Sequence, residues 1–179
     1  MTADDVIEVL DRIDAAGVWY CIEGGWGVDA LLGEQSRRHR DLDVGIRAED
    51  LGSVCAALSE FERDEVEWPA SLFLRDRRGR VVDCSVLTFD ASGDGWQPNA
   101  KGPPHRWPSE SLDARGQIGG RPVRCIAPEL QLRWHSREGV DDVDCADMRA
   151  LADRFGLQLP AVLARRPGFV DSRRTLSAE

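Results

Sequence analysis

Apolar residues at Val6, Val9, Leu10 and Ile13 follow the three- and four-residue steps of one helical face, which predicts an amphipathic helix over 3–16. Thr2 with Asp5 has the spacing of a capping box, and Gly17 suits the C-terminal cap. Val18-Trp19-Tyr20-Cys21-Ile22 then reads as a short strand. It runs straight into Gly24-Gly25, after which Val28, Leu31 and Leu32 define the inward side of a helix over 26–33. The period next drops to two: Leu42, Val44 and Ile46 form the apolar face of a strand, so Asp41 and Asp43 lie on the opposite face. Residues 48–60 read as a helix, and 71–75 with 80–87 as a hairpin around Arg77-Arg78-Gly79. In the second arm Val82, Cys84 and Val86 alternate with Val81, Asp83 and Ser85. Four prolines and several glycines make 90–114 read as a long loop, of the kind that is often functional. A second hairpin covers 116–126, turning at Gly119-Gly120. Pro128 opens a helix that runs to about Arg137, and another spans about 142–155 and stops at Gly156.

This order of elements predicts an α+β fold: a small mixed sheet with helices on one side and a helical C-terminal part. Residues 1–126 would form the core, 127–166 the helical part, and 167–179 a loosely held tail. Hydrophobic residues are 42% of the 179, enough for one compact core. No apolar run approaches the ~20 residues that a membrane helix needs, and the acidic start lacks the pattern of a signal peptide. A cytoplasmic protein without membrane contact is expected. The five cysteines are odd in number, widely spaced and free of any CxxC, so buried thiols are expected rather than disulfides or zinc ligands.

The net charge of −9 argues against nucleic acid as a partner and mildly favours a cationic one. Arg37-Arg38-His39-Arg40 runs against that sign, next to the acidic pair. Nothing in the sequence decides between a monomer and a homodimer.

Asp41 and Asp43 aim two carboxylates at one point. Asp83 is a third acid, in a strand that would otherwise carry an apolar or small residue there. Buried carboxylates are rare unless paired or metal-bound, and the bland alternative for Asp83 is an ion pair with Arg75 or Arg80. Gly24 and Gly25 supply backbone N–H groups at a helix start, where phosphate binds readily. Together these point to phosphoryl-transfer chemistry: two acids on Mg²⁺, the third as base or further metal ligand, and Arg37 to Arg40 near the phosphates. His135 is expected to be packed or capping, and Trp19 and Trp134 to be core. Trp68, Trp96 and Trp107 could line a ligand pocket. No Walker loop, HExxH or nucleophile elbow occurs.

The run Gly24-Gly25-Trp26-Gly27-Val28-Asp29-Ala30-Leu31-Leu32-Gly33, followed by Arg37, His39 and Asp41-Leu42-Asp43, resembles the antibiotic nucleotidyltransferases of the polymerase-β-like superfamily. Val82-Asp83-Cys84 matches the strand with that family's third acid. The stretch 120–125 resembles the aminoglycoside 2″-adenylyltransferases. Cys125-Ile126, Glu129, Gln131-Leu132, His135-Ser136 and 144–151 resemble the lincosamide branch.

The resemblance spans about 5–155. It implies Mg²⁺-dependent transfer of AMP from ATP to a hydroxyl of a small cationic antibiotic, a lincosamide slightly ahead of an aminoglycoside. Asp41, Asp43 and Asp83 would be the metal set, with Asp83 also the base. Gly24, Gly25, Trp26, Arg37 and His39 would surround the nucleotide. Trp26 stands where more distant relatives carry Ser or Thr, and 90–114 matches poorly. Two rival readings stand beside it: a nucleotidyltransferase that modifies a protein or RNA, and a nucleotide-binding module without turnover.

Overall fold

The structure, a computed structural model, describes residues 1–65, 67–135 and 141–164. Helix α1 (Ala3–Ala15) opens on the Thr2–Asp5 capping box and buries Val6, Val9, Leu10 and Ile13, as its spacing predicts. Strand β1 (Tyr20–Ile22) leads into α2 (Gly24–Leu32), which ends on Gly33 at φ 84°. Strand β2 (Leu42–Arg47) follows. The helix expected over 48–60 is shorter: a 3₁₀ turn, Ala48–Asp50, precedes α3 (Leu51–Ala57). Leu58 and Phe61 are both buried, and the chain bends at Leu58 to bring Phe61 inward before the edge strand β3 (Glu62–Asp64). Strands β4 (Ser71–Arg75) and β5 (Val81–Phe89) form the first expected hairpin.

The long loop expected over 90–114 is a correction. It contains β6 (Gly95–Gln97) and β7 (His105–Trp107), a hairpin that continues from β5. Its prolines sit in the connections, which is why composition alone read as a loop. β8 (Ala114–Ile118) and β9 (Arg121–Cys125) form the second expected hairpin. Helix α4 (Pro128–Trp134) starts on its proline and closes at Trp134, with His135 as cap. α5 (Asp142–Phe155) ends on Gly156, and α6 (Ala161–Ala164) is one short turn. The expectation of a loose tail over 167–179 lies outside the described residues, as does Arg137.

The sheet runs β3-β4-β5-β2-β1-β9-β8, with β2–β5 and β1–β9 parallel and the other pairs antiparallel. Its two faces differ. Leu42, Val44, Ile46, Val82, Cys84 and Ile22 join residues of α1, α2, α3 and α5 in the larger core. On the other face Cys21 and Leu87 pack with Trp107, Leu112, Ile126 and Leu130. Gly45 makes that second core possible, because a Cβ there would stand 3.1 Å from the Trp107 ring. The β6–β7 hairpin and α4 therefore cover the face that also carries the acids. All five cysteines are free and buried. No helix among the described residues is long and apolar enough to cross a membrane.

Candidate active site

Three adjacent strands place the acids side by side. The Glu23 N–H donates to the Asp43 carbonyl at 3.0 Å, extending the antiparallel β1–β2 ladder by one residue. Asp43 faces Asp83 directly across the parallel β2–β5 ladder. Since strand side chains alternate, Glu23, Asp43 and Asp83 share the face of Cys21, Gly45 and Leu87. Asp41 lies two residues before Asp43, just outside β2. Glu23 was not picked out from the sequence. The available signal was an acid at the end of an apolar strand, immediately before Gly-Gly.

This row of like charges is poorly compensated. Burial, then the charges of Asp41 and Asp83, push the Asp43 carboxyl up to about 8. Burial, then Glu67 and Asp41, push Asp83 up to about 6. Glu23 is raised well above the usual carboxylate range by burial and by Asp43. Its Oε1 and the Asp83 Oδ1 are buried without a hydrogen-bond partner. The arginine pairing that would have made Asp83 merely structural does not occur. Arg80 donates to Asp76 at 2.6 Å and pairs with Glu8 at 3.0 Å, while Arg75 is exposed.

Orphaned carboxylate oxygens in a repelling row fit a divalent cation. Among the described residues no three His, Cys, Asp or Glu side chains meet at one metal position. A carboxylate pair such as Asp41 and Asp43 suits magnesium, which takes one or two carboxylates and leaves the rest of its shell to water and substrate oxygens.

The other half of the site is built on α2. Gly24 has φ 57°, and its Cα packs so closely on the Asp43 carboxylate that a side chain would displace it. A Cβ on Gly25 would collide with His39 Nδ1 and stand 2.7 Å from Arg37 Nη2. Backbone N–H groups at this helix start, with the Arg37 guanidinium above them, can hold an anion. A Gly25→Ala variant should bind ATP about tenfold more weakly, because the methyl displaces both nitrogens; titration calorimetry reads this. Binding at wild-type strength would remove Gly25 from the site.

One sequence expectation changes here and another narrows. Trp26 is 1% exposed and belongs to the core, off the cavity wall; it packs against the His39 ring at 4.6 Å between centroids. His39 is itself buried, its Nε2 paired with Asp29, so only its other ring nitrogen faces Gly25. Trp26 was expected beside the nucleotide because a motif does not show which side of a helix is covered, whereas His39 keeps its place on the cavity wall.

Gly24, Gly25, Arg37, His39, Asp41, Asp43 and Glu23 all line a cavity of about 1120 Å³. Asp83 is not on its wall but sits beside Asp43. The far wall comes from the β6–β7 hairpin, α4 and the start of α5: Gln97, His105, Trp107, Trp134, His135 and Asp144 contribute. Trp107 does reach this wall while being 1% exposed. Trp134, expected in the core, is half-buried and also on the wall. Trp19 is half-buried under Phe89, and Trp96 donates to Asp90. Trp68 is 49% exposed and off the wall. His135 bonds the Gln131 carbonyl at 2.9 Å, the capping role expected of it. Gln131 donates from Nε2 to the Gly24 carbonyl at 3.2 Å and keeps a buried, unpartnered Oε1.

The chain is similar to known proteins in sequence and in fold. A family model described as aminoglycoside-2″-adenylyltransferase matches residues 5–151. A lincosamide resistance protein of Staphylococcus haemolyticus is 29% identical over 153 residues, 84% of this chain and 94% of that protein. A 2″-aminoglycoside nucleotidyltransferase of Escherichia coli is 30% identical over 143 residues, 78% of this chain and 75% of that one. The crystal structure of a lincomycin-bound lincosamide antibiotic adenylyltransferase matches with a TM-score of 0.75 at 26% identity, over 84% of this chain and 96% of that one.

Proposed function

We propose, since this chain belongs to the aminoglycoside-2″-adenylyltransferase family, that it transfers AMP from ATP to a hydroxyl of a small cationic antibiotic and releases pyrophosphate. A lincosamide is the favoured acceptor, because the lincosamide resistance relative is matched over 94% of its length. The carrying observation is a cavity whose wall bears the Gly24-Gly25 turn and Asp43, with Asp83 behind that wall, opposite Asp43 and with an unpartnered Oδ1.

Gly24 and Gly25 hold the triphosphate through their N–H groups; Arg37 offsets its charge from above, and His39 lies beside it. Asp41 and Asp43 would hold Mg²⁺, which neutralises charge on the phosphate oxygens. Asp83, with its carboxyl near 6, is mostly ionised at neutral pH and still basic enough to take a proton. It accepts the proton of the acceptor hydroxyl as that oxygen bonds to the α-phosphorus. The bond from the α-phosphorus to the bridging oxygen breaks on the opposite side, and pyrophosphate leaves with those electrons. The acidic surface attracts an amine-bearing acceptor, and use of ATP fits a cytoplasmic enzyme.

The test is pure protein with ATP, Mg²⁺ and a panel of lincosamides and aminoglycosides, read by mass spectrometry for an added AMP. An adenylylated lincosamide is expected. Folded protein that modifies no member of the panel overturns the reading. Label from ATP appearing on a protein or RNA in lysate would transfer it to a macromolecular acceptor instead.

A further inference from the structure

Among the buried acids outside the metal face and outside the cavity wall are Asp29 of α2, 2% exposed, and Asp147 of α5, 7% exposed. Each holds one side chain of the phosphate loop, His39 and Arg37 respectively. Asp29 Oδ1 accepts from the Ser36 N–H at 3.1 Å and from the Ser36 hydroxyl at 2.6 Å, while Oδ2 pairs with His39 Nε2. A tilted contact with the Trp26 ring, 4.6 Å between centroids, restricts the orientation of the imidazole. With Nε2 engaged, Nδ1 is left pointing at Gly25. Asp147 Oδ2 accepts from Arg37 Nε at 3.2 Å and from Nη2 at 2.8 Å, and Arg37 Nη1 donates to the Arg38 carbonyl at 3.3 Å. The guanidinium is thereby fixed in plane with Nη2 also near Gly25. Two nitrogens, held from two different helices, meet at one point above the start of α2.

We propose that Asp29 and Asp147 are positioning residues that fix His39 and Arg37 over Gly25, ready for a nucleoside triphosphate; this rests on the nucleotidyltransferase reading above. Two physical effects oppose each other. A carboxylate near the phosphates repels them, while a guanidinium already fixed in place loses no further rotamer freedom on binding. Asp147 is 7% exposed and engaged by Arg37 through both Nε and Nη2, which favours the second effect. Arg37 is also a third exposed, leaving surface to meet the ligand. The contact joins residues 110 apart, so it also ties the C-terminal helix to the phosphate loop.

The test is titration calorimetry of wild type, Asp147→Asn, Arg37→Met and the double variant with Mg²⁺ and α,β-methylene-ATP, and with AMP as the ligand lacking a triphosphate. Asp147→Asn should weaken triphosphate binding about tenfold, the scale for losing an outer partner that orients a binding group, and should leave AMP unchanged. In the Arg37→Met background it should cost nothing more. Asp147→Glu should recover most of the loss, and Asp29→Asn should repeat the pattern through His39.

Triphosphate binding by Asp147→Asn as tight as wild type, or tighter, overturns the proposal, as does a full loss that persists without Arg37. If Asp147→Asn does not fold, Arg37→Lys reads the same contact from the other side. Lysine keeps the charge but cannot make the forked contact, so about tenfold weaker binding supports the proposal and wild-type binding overturns it. Folded wild type that binds no triphosphate overturns both this proposal and the functional reading; wild type that binds while the variants are unaffected overturns only this one.

Discussion

Asp43→Asn should lower turnover by about 10³-fold or more and, in the same protein, raise the melting temperature of the metal-free form at pH 8. The two effects share a cause. Asp43 is held among Asp41, Asp83 and burial, all of which disfavour its charge, and its carboxyl rises to about 8. The folded state therefore holds a proton that the unfolded chain has released. For such a group the stability contribution is full below the unfolded value of about 4, falls as pH rises, and is gone above about 8. Asparagine removes that pH dependence, so the gap in melting temperature between variant and wild type should widen from pH 5 to pH 8.5. Added Mg²⁺ should raise the melting temperature of wild type more than that of the variant. Melting curves in chelator across that range check it. A variant no more stable than wild type at pH 8.5 would show that the acid row costs the fold nothing.

Asp83→Asn should lower kcat by about 10²–10⁴-fold, the usual worth of a positioned base, with KM for ATP little changed. A base must be ionised to accept a proton, so wild-type activity should fall as pH drops below about 6, the value to which burial, Glu67 and Asp41 raise this carboxyl. The variant should lack that acidic limb. Its melting temperature should not fall, since Oδ1 has no partner to lose, an asparagine can keep the Ser71 hydrogen bond, and a like charge beside Asp43 is removed. A pH–rate profile with single-turnover assays makes the measurement. Wild-type rates in folded Asp83→Asn protein would take this residue out of the mechanism.

Much of the fold was legible because it is written locally. The stripe of α1, its capping box, the alternation in β2 and β5 and the turn at Gly119-Gly120 each depend on neighbours a few residues away. The 90–114 segment was not legible, since its strands are three residues each and separated by proline-rich connections. Period-two patterns need a longer run to show. Trp107 becomes part of the core only because Gly45, sixty-two positions earlier, leaves room for its ring. His39 illustrates the same limit at the site. Its place in a basic loop suggested a residue near the phosphates but did not show that Asp29 and Trp26 bury one side of it.

By itself the sequence determined the chemistry on offer: a glycine turn at a helix start, two acids at strand spacing, a third acid in an apolar strand, and basic residues beside them. Residue type and short-range period carry that information, because backbone geometry dictates which nearby side chains share a face. Only the tertiary structure decided that Glu23, Asp43 and Asp83 form one row, that Asp83 lacks an arginine partner, and that Asp147 reaches Arg37. Those facts depend on strand order and helix packing between residues far apart in the chain. Such contacts are chosen by burial and charge summed over the whole fold, which no local pattern encodes.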